Sequence, residues 1–189
     1  MSDSTASATT LADTMATAGG ELTGERAVLR ETLAKHRALL RYTVRELSDD
    51  DARRRPTASA LTLAGLLKHV AECEASWIDF IATGIVAGAG DWAEWSADTD
   101  SERDDFTLDD GDTVQSLLAR YGEVAARTDA LVATVDLDVA HPLPDAPWFP
   151  AGTRWSARHA LAHIIGETAQ HSGHADILRE TIDGQKSMG

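Results

Sequence analysis

Apolar residues recur every three or four positions in four stretches of the chain, the spacing of a helix with one buried face. The first stretch runs roughly from Gly24 to Leu47, with Val28, Leu29, Leu33, His36, Leu39, Leu40, Tyr42 and Val44 on its stripe. Asp49 to Asp51 and Arg53 to Pro56 break it. The second runs from about Leu63 to Thr83, with Thr62 placed to cap its start and Gly84 its end. Its stripe is Leu63, Leu66, Leu67, Val70, Cys73, Trp77, Phe80 and Ile81. The third runs from about Asp112 to Val135 and the fourth from a cap at Ser156 to Gly184.

Two long connections separate these segments. Residues 85–111 are rich in Gly and Asp, carry Trp92 and Trp95, and read as an acidic loop. Residues 136–155 contain Pro142, Pro144, Pro147 and Pro150, so they cannot continue a helix. Alternating β-branched runs are absent, and no strand is expected. Four long helices without a sheet predict an all-α four-helix bundle with long connections. Residues 1–22 are mainly Ser, Thr, Ala and Gly, bury little, and read as a flexible tail ahead of one domain spanning 23–189.

Charge narrows the partners. Thirty-one acidic against 17 basic residues leave a net charge of −14, which repels a phosphate backbone. The densest basic cluster, Arg53 to Arg55, directly follows Asp49 to Asp51 and reads as a solvated loop. Nucleic acid is therefore not an expected partner. No apolar run reaches about 18 residues, so no membrane span is expected. The single cysteine, Cys73, excludes an intrachain disulfide. With no basic residue before Arg26 to form a secretory leader, a cytoplasmic location is expected.

The chemistry gathers on the fourth helix. At about 100° per residue, with Glu167 at zero, His171 falls near +40°, His174 near −20° and His163 near −40°. Ala160, Ile164, Leu178 and Ile182 share that stripe. A helix facing an ordinary core would turn a carboxylate and three imidazoles outward. Buried here, they need hydrogen bonds or a metal ion. Glu167 and His171 stand one turn apart, close enough to hold one ion together. On the second helix, His69 also lies in the apolar stripe, with Glu72 and Glu74 beside it. By itself it fits a hydrogen-bonded core histidine better than a ligand. Taken with the fourth helix it completes a set of two imidazoles and a carboxylate. Such a set suits zinc first, and nickel, iron or manganese as alternatives. Three protein ligands leave a position open, as catalytic sites do. His174 is on the right face to replace Glu167. His163 and His174 otherwise serve as outer partners of the ligands, as His159 can. Trp77 is a core or pocket residue one turn along, and Trp148 and Trp155 flank the start of the fourth helix. Cys73 reads as a small buried hydrophobe. Asp176, Arg179 and Glu180 read as salt-bridging helix surface.

Two segments, Leu61 to Trp77 (LTLAGLLKHVAECEASW) and His159 to Gly184 (HALAHIIGETAQHSGHADILRETIDG), resemble the DinB-like (YfiT-like) superfamily. They are most similar to its actinobacterial branch of mycothiol-dependent maleylpyruvate isomerases and mycothiol S-transferases. The resemblance extends from about residue 24 to the end. It implies a four-helix bundle, often a homodimer, whose metal is held by a histidine of the second helix and a pair one turn apart on a later helix. That pattern falls on His69, Glu167 and His171. Many superfamily members carry histidine where Glu167 stands; the carboxylate matches the mycothiol-dependent branch better. The resemblance also implies a zinc-like or nickel-like ion and a low-molecular-weight thiol, mycothiol, as cosubstrate.

Two functions follow as expectations. In the first, an ion at the three ligands binds the thiol and lowers its pKa, and the thiolate attacks a small-molecule electrophile at the apolar mouth of the bundle. A hydrolase using metal-bound hydroxide would need the same ligands. In the second, the bundle is non-catalytic, with a structural metal or a dimer used for binding.

Overall fold

The computed structural model describes residues 22–85, 106–146 and 149–187. Nearly all of the 1–22 tail, most of the 85–111 stretch with Trp92 and Trp95, and Trp148 lie outside the described residues. Leu22 packs against the apolar core.

The described chain forms α1 (Gly24–Thr43), a single turn α2 (Asp49–Ala52), α3 (Leu63–Thr83), α4 (Val114–Thr134), β1 (Ala140–Pro142), β2 (Arg154–Ser156) and α5 (Ala157–Asp183). The caps follow the local chemistry. The Thr62 hydroxyl accepts from Gly65 N at 3.0 Å and starts α3. The Ser156 hydroxyl accepts from His159 N at 3.2 Å and starts α5. Gly84 and Gly184 end these helices in the left-handed conformation, both with φ of 79°. At α4 a reciprocal pair, Thr113 and Ser116, satisfies two otherwise unpaired amides.

Two features differ from the sequence expectation. First, α1 stops at Thr43 rather than Leu47, and Glu46 adopts a φ of 53°. The Arg179 guanidinium donates to Thr43 O at 2.7 Å and Arg45 O at 2.8 Å, satisfying carbonyls at the helix end. Arg179 is therefore not helix surface: it is 1% exposed, although it does pair with Asp183 at 2.9 Å. Second, the proline-rich connection holds a small antiparallel hairpin in which His141 stands opposite Trp155. Its strands are three residues long, too short to display the alternation by which strands are read from sequence.

The four long helices form an all-α bundle in which α5 packs against α1 and α3, and α3 also packs against α4. Apolar side chains form two clusters. One holds Leu33, Trp77, Phe80, Val132, Leu161 and Ile164; the other holds Leu40, Leu63, Leu67, Val70, Leu117, Tyr121 and Leu178. Polar residues separate them. On α3, Glu74 lies between Ala71 of one cluster and Trp77 of the other, and on α5, Thr168, His171 and Ser172 occupy the same interval. Glu74 is fully buried and takes both Arg37 contacts, at 2.5 and 3.1 Å. Arg37 also pairs with Asp129 at 2.8 Å, and the Thr128 hydroxyl donates to Glu74. Burial opposes the charged guanidinium, yet Glu74 and Asp129 more than offset it and hold Arg37 above the ordinary arginine pKa. The Tyr121 hydroxyl is buried beside Thr168.

Candidate metal centre

Helix α3 carries His69 and helix α5 carries Glu167 and His171 into the contact between them. The three side chains each offer a ligand atom, and those atoms lie within 4.8 Å of one another. The His69 and His171 rings meet edge to face with centroids 4.9 Å apart. His171 Nε2 lies 3.4 Å from Glu167 Oε2. Ligands about 2.1 Å from a tetrahedral zinc ion stand about 3.4 Å from each other, so this pair already has the required separation. The third donor, on His69, lies within 4.8 Å of both. Two imidazoles and a carboxylate thus fit a borderline divalent ion in spacing and in chemistry.

Two further histidines adjoin this group. His163 Nε2 lies 3.6 Å from Glu167 Oε1, so the two oxygens of the carboxylate face different imidazoles. His174 Nδ1 lies 3.4 Å from His171 Nδ1 and stands outside the converging donor set. The donor atoms that converge with those of His69 and His171 are thus those of Glu167 and not of His174. The His171 hydrogen bond, with the charges of His163, His171 and His69, holds the Glu167 carboxyl below its ordinary pKa, while burial opposes this. For His163, burial dominates: it lowers the imidazole pKa, and Glu167 only partly compensates.

An aromatic wall adjoins the carboxylate side. Trp77 meets His163 edge to face at 4.9 Å and stacks on Trp155 at 4.9 Å; Trp155 in turn stacks on His159 at 4.2 Å. Trp77 is buried core, as its stripe position suggests, and reaches the donor group through His163. The hairpin serves this arrangement, because β2 delivers Trp155. On the opposite side, Phe106 lies 4.6 Å from the His69 ring and 6.1 Å from His171. Sequence reasoning left Phe106 inside the acidic loop and missed it; a single phenylalanine there has no periodicity to mark it. The buried Arg37–Glu74 pair was missed too, although its signal was present. Arg37 and Glu74 interrupt the apolar stripes of their helices at positions where a charge has no solvent to face.

A family model described as mycothiol-S-transferase matches residues 28–184. The chain belongs to the mycothiol S-transferase family. Among solved structures, a conserved protein from Enterococcus faecalis is similar with a TM-score of 0.58 and 18% identity, over 87% of this chain and 100% of that one. At that identity the likeness speaks for the fold. No curated protein matches the chain. Among the described residues, no helix of this mycothiol S-transferase family member is long and apolar enough to cross a membrane.

Proposed function

We propose that this chain is a metal-dependent thiol transferase acting on a small-molecule electrophile, with mycothiol as cosubstrate. The convergence of the His69, Glu167 and His171 donor atoms carries the reading, and family membership supplies the thiol. Zinc is the preferred ion for two imidazoles and a carboxylate, with nickel, iron or manganese as alternatives. A divalent ion held there supplies the charge that lowers the pKa of a bound thiol toward neutrality.

The chain's own residues do the rest. His163 holds the second oxygen of Glu167 and His174 steadies the His171 ring, fixing ligand orientation. The low pKa of Glu167 keeps it a carboxylate at neutral pH. Trp77 and Trp155 exclude water beside that carboxylate. In the transfer, the thiol loses its proton to solvent, its sulfur forms the new C–S bond, and the leaving group departs with the electron pair of the bond it breaks.

The test is metal content per chain, measured by elemental mass spectrometry on untagged protein, with His69→Ala and His171→Ala alongside. One ion per chain, lost in both variants, supports the site. Thiol transfer from mycothiol to a chlorinated model electrophile is then assayed. No ion after loading with zinc, nickel or manganese sinks the reading and leaves a hydrogen-bonded core of histidines.

A further inference from the structure

Phe106 is held against the donor group by several contacts of its own segment. A Cβ built on Gly65 would stand 2.6 Å from Phe106 O and 3.2 Å from Phe106 Cβ, so only glycine at 65 lets this backbone rest on the first turn of α3. Lys68 Nζ donates to Thr107 O at 2.8 Å and pairs with Asp109 at 3.3 Å. Arg53 donates to Asp109 O at 3.1 Å and Asp112 O at 2.6 Å, which makes it an anchor rather than a solvated loop cation. These bonds fix a short segment in one place, and its apolar side chain faces the two imidazoles.

The donor group therefore has different neighbours on its two sides. Glu167 is flanked by His163, and the His69–His171 side is covered by the Phe106 ring. An apolar wall beside a metal centre excludes water and lowers the local dielectric. It disfavours hard oxygen ligands, which must keep their hydration, and favours a soft sulfur on a carbon stem.

We infer that Phe106, seated by Gly65, is a specificity-determining residue that biases the open metal position toward thiols over oxygen ligands. The inference rests on the metal reading above and assigns a role to a residue outside the ligand set. The competing role for Phe106 is only to seal the neighbouring apolar cluster.

The test uses the full chain loaded with Co(II), titrated with 2-mercaptoethanol and with acetate and followed by its visible absorption. Phe106→Ala should retain one Co(II) per chain and bind the thiol about tenfold more weakly, the loss of roughly one good apolar contact. Its acetate affinity should be unchanged or higher. Phe106→Leu, which keeps an apolar wall, should stay within about threefold of the parent for thiol. Gly65→Ala, whose Cβ would stand 2.6 Å from Phe106 O and 2.9 Å from the capping Thr62 hydroxyl, should reproduce the Phe106→Ala selectivity provided it retains one Co(II) per chain. A Phe106→Ala protein that holds Co(II) and binds thiol as the parent does overturns the inference alone. Loss of Co(II) in Phe106→Ala also overturns it, because the ring would then be support for the donors. A parent that takes up no Co(II) removes the metal reading and the inference with it.

Discussion

His171 stands between two partners of different kinds: His69, 4.9 Å away across the helix contact, and Glu167, 3.4 Å away one turn back on its own helix. An ion at their meeting point would tie α3 to α5 and so stabilise the fold. At a hundredfold excess over its Kd, such an ion should raise the melting temperature by about 5–10 °C. Differential scanning fluorimetry of the parent should show this with zinc or nickel. His69→Ala and His171→Ala should show no shift, and equal shifts in all three proteins would place the ion elsewhere.

Acid should weaken the metal-free fold through Glu167. Its folded pKa is held below the ordinary 4.5, chiefly by the His171 hydrogen bond. The unfolded chain therefore takes up the proton first as pH falls. The stabilisation is complete above about pH 4.5 and is lost as pH drops through the folded pKa. Melting temperatures of the metal-free protein, followed from about pH 5 to 3, should fall less steeply in Glu167→Gln than in the parent. Parallel curves would mean that other carboxylates dominate this window.

The Arg37–Glu74 pair lies inside the bundle, with Arg37 5% exposed and Glu74 not at all. Removing one charge strands the other away from water. Glu74→Leu alone should cost about 3–5 kcal/mol in urea unfolding. Arg37→Met together with Glu74→Leu should recover much of that loss, because the pair itself contributes little net stability once both charges are gone. A double variant as unstable as the single one would show that Asp129 and Thr128 depend on the pair.

Gly84 ends α3 with a φ of 79°, and a Cβ there would stand 2.8 Å from His141 Nδ1. His141 Nε2 also lies 3.2 Å from Ile81 O. Gly84→Ala must meet both the backbone strain and the close ring, and should cost about 1–3 kcal/mol by denaturant titration. Gly122, mid-helix with open space at its Cβ, is the control. Gly122→Ala should stabilise by up to about 1 kcal/mol, the ordinary helix-propensity difference.

The helices, their caps and the all-α class were legible in the sequence because they rest on local rules: periodicity over a few turns, Thr62 and Ser156 at helix starts, Gly84 and Gly184 at helix ends. The pairing of Glu167 with His171 was legible for the same reason, since one helical turn sets it. His69 could be nominated from its place in an apolar stripe. Only the packing of α3 on α5 decided that its ring meets His171, and that Glu167 rather than His174 joins them. Tertiary contacts also decided where α1 stops, because the Arg179 side chain that caps it comes from another helix. They moved Arg179 from surface to core, folded the proline-rich connection into a hairpin that sets Trp155 on Trp77, and brought Phe106 to the donors. Each of these depends on residues distant in sequence, whose meeting no local spacing encodes.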